Sequence, residues 1–114
     1  MVVDDEPMIR KLVVSALSTS GYRVVDAETP EEAIRMMDSH PSLDLLVTDV
    51  VMPEVGGPEL AERMRLKQPL LKVLFMSGFA PANVRSALAQ GADFLQKPFR
   101  IADLLDRVGR ILNA

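Results

Sequence analysis

The stretch "LDLLVTD", residues 43–49, decides how the rest of the chain is read. Four of its first six side chains are apolar, and the run then stops at a carboxylate, Asp49. So short and apolar a segment fits a strand buried on both faces, and such strands belong to parallel sheets sandwiched between helices.

Working outward, four more short apolar runs fit the same scheme: Val2–Val3, Tyr22–Val25, Leu71–Met76 and Ala92–Leu95. Between the runs the apolar residues recur at helical spacing. Ile9, Leu12, Val13, Ala16 and Leu17 mark one helix, and Ala33, Ile34 and Met37 a second. Leu60, Ala61 and Met64 mark a third, Val84 and Leu88 a fourth, and Leu104, Leu105, Val108, Ile111 and Leu112 the last. Five strands alternating with five helices predict an α/β domain with a parallel sheet covered on both faces.

The punctuation agrees. Pro7, Pro30, Pro58 and Pro81 stand where helices should begin, a place where proline forfeits no intrahelical hydrogen bond. Thr29 and Glu32 have the spacing of a capping box. Gly21 and Gly91 follow the first and fourth helices as left-handed stops, and Pro69 closes the third. The first strand is the exception, because only "MVV" precedes the acid pair Asp4–Asp5; either the natural strand is cut back here, or its stability is marginal and its neighbours compensate.

The 114 residues make one domain, residues 1–114, with 48% apolar side chains and therefore enough material for a core. The net charge is −3 and the basic residues are scattered, which argues against a nucleic-acid surface. There is no cysteine, so disulfide and thiol chemistry are excluded and a cytoplasmic setting is expected. No apolar run has the length of a membrane span, and no membrane contact is expected.

In open parallel sheets, ligands bind beyond the carboxyl ends of the strands. Asp4, Asp5 and Asp49 all occupy such ends, and three converging carboxylates need a cation or a basic side chain to offset their charge. Magnesium, with manganese as an alternative, suits this set of hard oxygen donors: Asp5 and Asp49 directly, Asp4 through water, and the backbone carbonyl of Val51. Ser77 in "FMSG" and Lys97 in "FLQKPF" fall on the same edge. A hydroxyl and an ammonium facing carboxylates and a cation form a pocket for a phosphoryl group, with Asp49 as the nucleophile that would become an acyl phosphate. Each residue alone has a plainer explanation, Ser77 as a turn residue before Gly78 and Lys97 as a solvated surface lysine. Their joint placement favours the phosphoryl pocket.

The pieces "VVDDEP", "LLVTDVVMPEVGG", "LFMSG" and "GADFLQKPF", in that order from residue 2 to the C-terminus, resemble a response-regulator receiver domain of two-component signalling. "MSGFAP", "FLQKPF" and the last helix beginning "RIADLLDRV" are most similar to the receiver modules of hybrid sensor histidine kinases. The resemblance implies the doubly wound, flavodoxin-like fold with strand order 2-1-3-4-5. It implies Asp49 as phosphoacceptor, Asp4 and Asp5 as the magnesium acids, Ser77 as the switch hydroxyl, Lys97 as the family's lysine, Phe94 as the switch aromatic and a cis bond before Pro98. It also implies a phosphohistidine donor on a histidine kinase or histidine phosphotransfer domain, either as a separate protein or within one larger hybrid kinase. The output would be a changed face on the fourth helix, fifth strand and fifth helix. Gly56–Gly57 departs from the family pattern and predicts a looser third loop. Val51 and Phe79, two positions beyond Asp49 and Ser77, are apolar and offer nothing to position a hydrolytic water, so the acyl phosphate should be lost slowly.

Three other classes fit less well. A dehalogenase-like hydrolase would want a second aspartate two residues past the nucleophile, where this chain has Val51. A flavodoxin-like cofactor binder would want a Ser, Thr and Gly-rich phosphate loop in place of "DDE". A docking-only receiver, which binds a kinase without using phosphorylation, would be expected to lack one of Asp4, Asp5, Asp49 or Lys97. As to enzymatic character, such a domain takes part in its own phosphorylation and slow dephosphorylation without being a conventional turnover enzyme.

Overall fold

In the computed structural model, which describes residues 1–78, 85, 88 and 91–113, the alternation predicted from the apolar runs becomes a single parallel sheet. The strands are β1 (Val2–Val3), β2 (Asp26–Ala27), β3 (Leu45–Asp49), β4 (Lys72–Ser77) and β5 (Asp93–Gln96). They lie in the order β2-β1-β3-β4-β5, and every pairing is parallel. The helices are α1 (Pro7–Thr19), α2 (Pro30–Met36) with a 3-10 turn at Met37–Ser39, α3 (Gly57–Lys67) and the C-terminal α4 (Ile101–Leu112). Of the helix expected between β4 and β5, Pro81 and Val84 lie outside the described residues; Leu88 is helical and packs against the core.

Strand alternation sends successive side chains to opposite faces and so builds two cores. Val3, Ala27, Leu46, Val73 and Phe75 meet Ala33 and Met37 together with Leu60, Ala61 and Met64, which places α2 and α3 on one face. Val2, Leu45, Val47, Leu74, Met76 and Leu95 meet Val13 and Leu17 together with Leu104, Val108 and Ile111, which places α1 and α4 on the other. Leu12 does not join this core. It is 45% exposed on the outer side of α1, because the stripe through Val13 and Leu17 already fills the face against the sheet.

The helix ends follow the sequence signals closely. Pro7 and Pro30 open their helices, and Pro58 is the second residue of α3. The Glu32 N–H donates to Thr29 Oγ1 at 3.2 Å, as the capping box requires. The return bond goes to the Glu28 N–H instead, at 3.5 Å. Gly21 and Gly91 have φ of 96° and 100°, the left-handed conformation expected of helix stops. The second strand is shorter and later than the Tyr22–Val25 run predicts, but Val25 still contributes, its carbonyl accepting from the Val2 N–H at 2.9 Å.

The third loop is tightly seated where the double glycine predicted looseness. The Gly57 N–H donates to the Val50 carbonyl at 2.8 Å, and a Cβ at position 57 would lie 2.2 Å from the Asp49 carbonyl oxygen. Glycine is therefore needed for close approach of two backbones. Glu54, in the same loop, takes a left-handed φ of 69°.

Gly57→Ala should destabilise the protein by roughly 1–3 kcal/mol, since neither backbone can give way without moving Asp49. Gly109→Ala, in α4 with nothing within 4 Å of the added atom, should stabilise it by about 0.4–1 kcal/mol. Urea denaturation midpoints of the two variants check both signs, and a neutral Gly57→Ala would refute the packing argument.

Candidate functional site

The register of the sheet assembles the site. Val3 pairs with Thr48, so the next residue on each strand, Asp4 and Asp49, emerges beside its neighbour at the carboxyl edge. On the other flank Asp49 pairs with Met76, Ser77 follows, and Ser77 pairs with Gln96. The Lys97 N–H then donates to the Ser77 carbonyl at 2.8 Å, extending the ladder by one bond and bringing Lys97 to the same rim. Four strand ends thus deliver Asp4, Asp49, Ser77 and Lys97 in sequence, with Asp5 one residue beyond Asp4.

Asp4, Asp5 and Asp49 each bring one carboxylate oxygen to within 4.8 Å of the others. Asp4 is fully buried, Asp49 and Ser77 are buried, and Asp5 is half-buried. The Lys97 ammonium sits between two of the acids, with Nζ 3.2 Å from Asp49 Oδ2 and 3.4 Å from Asp4 Oδ2. The second Asp4 oxygen, Oδ1, accepts from the Glu6 N–H at 2.9 Å. Among the described residues no buried side-chain nitrogen or oxygen is left without a partner.

The charges shift one another. Burial pushes the Asp4 carboxyl above its ordinary range; the Glu6 N–H and Lys97 pull it back without prevailing, and Asp49 adds to the rise. For Lys97, burial works to lower the value, but Asp4 and then Asp49 outweigh it and the ammonium is held above its usual range. Lys97 is therefore a fixed positive charge within the acid cluster.

The other residues singled out from the sequence lie around this centre. Val51 is on the loop leaving β3, with its side chain 59% exposed. Phe94 pairs with Phe75 across β4 and β5 and is partly buried against the core on the α2 and α3 face. The Lys97–Pro98 peptide is cis, as the resemblance implied. Phe79 lies outside the described residues.

Sequence reading missed two arginines. The Arg107 Nη1, on α4, donates to the Phe94 carbonyl at 2.6 Å. Arg10, on α1, donates from Nη1 to the Asp4 carbonyl at 2.8 Å and from Nε to Asp26 Oδ2 at 3.2 Å. Both bond backbone carbonyls, for which no residue-type pattern gives a signal. The spacing of Arg10 in the first turn after the acid pair was the only available hint.

Among the described residues no helix is long and apolar enough to cross a membrane. The chain is 35% identical over 116 residues to the response regulator receiver protein CpdR of Brucella abortus (strain 2308), covering 100% of this chain and 96% of that protein. It is 36% identical over 116 residues to the sensor kinase CckA of the same organism, where the likeness covers 99% of this chain but 12% of the kinase. The crystal structure of the receiver domain from the hybrid histidine kinase CckA matches with a TM-score of 0.84 at 33% identity, covering 97% of this chain and 95% of that one. The family model for the response regulator receiver domain matches residues 1–109, a span that contains every strand end gathered at the acid cluster. By its sequence, its strand order and these relatives, the chain belongs to the response regulator receiver domain family of two-component systems.

Proposed function

We propose that this domain accepts a phosphoryl group on Asp49 from a phosphohistidine of a histidine kinase or histidine phosphotransfer domain, in a magnesium-dependent reaction. The observation that carries this reading is the arrangement of one buried carboxylate, Asp49, 3.2 Å from an ammonium and within 4.8 Å of two further acids. A structural ion pair would need only one of those acids.

The donor set fits a hard divalent cation: three carboxylate oxygens close enough to share one ion, with the Val51 carbonyl on the adjoining loop as a further oxygen. Asp5 and Asp49 would bind it directly and Asp4 through water. When bound, magnesium would neutralise charge on the phosphoryl oxygens and so let two anions approach each other. In the transfer, an Asp49 carboxylate oxygen forms the bond to phosphorus while the bond between phosphorus and the donor imidazole nitrogen breaks; that nitrogen keeps the electron pair, and the ring leaves as neutral imidazole because its other nitrogen carries a proton. Lys97 offsets charge on the transferring oxygens, and Ser77 donates a hydrogen bond to one of them. The cytoplasm is the setting we propose for this chemistry.

The readout we propose follows from the added charge, roughly −1.5 to −2 with new acceptor oxygens. Ser77 moving toward those oxygens draws Gly78 with it, and Phe94, on the neighbouring strand, repacks. The surface of β5 and α4 changes with it. The phosphoryl group shifts this equilibrium only as far as it favours one state over the other. A docking-only role is the second reading; the presence of all three acids and Lys97 weighs against it.

Three outcomes are expected. Incubation with magnesium and acetyl phosphate should add the mass of one phosphoryl group to the parent and none to Asp49→Ala, and the adduct should persist for minutes or longer; an unmodified parent would favour the docking-only reading. Asp4→Asn should raise the metal-free melting temperature at about pH 7 and weaken magnesium binding, as thermal melts with and without the metal would show. The sign follows from the raised Asp4 value: the folded state holds that proton more tightly than the unfolded one, so metal-free stability is fullest below the ordinary carboxylate range and declines as pH rises through the raised value. A variant that melts lower at every pH would contradict this. Ser77→Ala should accept the phosphoryl group yet lose the phosphorylation-dependent changes in the NMR signals of Phe94, and retention of those changes would break the proposed coupling.

A further inference from the structure

We propose that Arg10 is a positioning residue for the acid site, holding the Asp4–Asp5 loop in the geometry that a divalent cation needs. The inference rests on the reading of the acid cluster above and assigns its support to a residue outside it.

The loop needs such support. β1 has two residues, and the bond that continues its ladder, from the Asp4 N–H to the Ala27 carbonyl, is 3.4 Å long and correspondingly weak. Arg10 sits in the first turn of α1 with its side chain 14% exposed. Nη1 donates to the Asp4 carbonyl at 2.8 Å. That carbonyl belongs to the peptide plane joining Asp4 to Asp5, so fixing it fixes the direction in which both carboxylates leave the backbone. Nε donates to Asp26 Oδ2 at 3.2 Å, which ties the same guanidinium to β2. One planar group therefore binds three segments: the first helix, the acid loop and the neighbouring strand. A lysine, with a single point charge, would not serve both acceptors in this way.

Charge and position predict opposite effects here. As a mere neighbouring cation, Arg10 would repel a divalent ion, and its removal would tighten binding. As a positioner, its removal loosens the two acids and weakens binding.

Isothermal calorimetry with magnesium chloride on the parent, Arg10→Ala, Arg10→Lys and Asp26→Asn distinguishes these. The expected result is about tenfold weaker binding for Arg10→Ala, the lower end of the range found when support of a metal ligand is lost, with partial recovery for Arg10→Lys and a smaller weakening for Asp26→Asn. With acetyl phosphate, the magnesium concentration for half-maximal phosphorylation of Arg10→Ala should rise by the same factor, while the rate at saturating magnesium stays near that of the parent. Without metal, hydrogen exchange of the Glu6 amide should quicken in Arg10→Ala while that of Val47 does not change. Unchanged or tighter binding by Arg10→Ala overturns the proposal, as does a lower saturated rate with unchanged half-saturation. Should Arg10→Ala fail to fold, Asp26→Asn decides, with parental affinity overturning the proposal. A parent that binds no magnesium would overturn the acid-site reading itself and this inference with it.

Discussion

The pairing of Val3 with Thr48 is the constraint on which the rest depends. A parallel register with these two residues abreast brings Asp4 and Asp49 out side by side, both buried, and such a pair does not persist without compensating charge. Lys97 supplies part of it from the far side of the sheet, and can do so only because the bond from its N–H to the Ser77 carbonyl carries the β4–β5 ladder one residue past Gln96. A slip of one residue between β1 and β3 would turn the apolar faces of β1 around and separate the acids. Fold and site are thus fixed by the same few hydrogen bonds.

Most of this architecture was legible in the residue pattern, because a buried parallel strand and an amphipathic helix leave distinct periodicities. The stripes Leu60, Ala61, Met64 and Leu104, Val108, Ile111 are buried as expected. Leu12 misled because a helix of this composition has apolar residues to spare, and spacing alone does not say which side of a wide stripe meets the sheet. Strand limits were less legible: the Tyr22–Val25 run is apolar enough to pack without all of it entering the ladder, and the paired segment is Asp26–Ala27. The acids and Lys97 could be found from their positions at strand ends. The close approach at Gly57 and the carbonyl bonds of Arg10 and Arg107 could not, since backbone oxygens look alike in every sequence.

The short first strand shows how a sheet tolerates a weak member. β1 is an interior strand, so both its edges are paired, and its two valines are fully enclosed between helix layers. Packing on both faces and side-chain bonds from the helix that follows compensate for the ladder bonds that a longer strand would make. The C-terminal helix is braced in a similar way: Arg107 holds the Phe94 carbonyl, and Lys72 Nζ donates to the Ile111 carbonyl at 2.8 Å. The segments that carry the site are therefore fastened to the layers by cationic side chains on backbone oxygens.

The tight seating of Gly57 has a consequence for how this domain can diverge. The rear wall of the Asp49 strand end is bare main chain, so that wall has no side chain whose replacement would adjust the site by degrees. Any larger residue there must displace the acceptor itself. Change near the site is thereby channelled to exposed positions such as Val51, where a side chain can be replaced without displacing the Asp49 main chain.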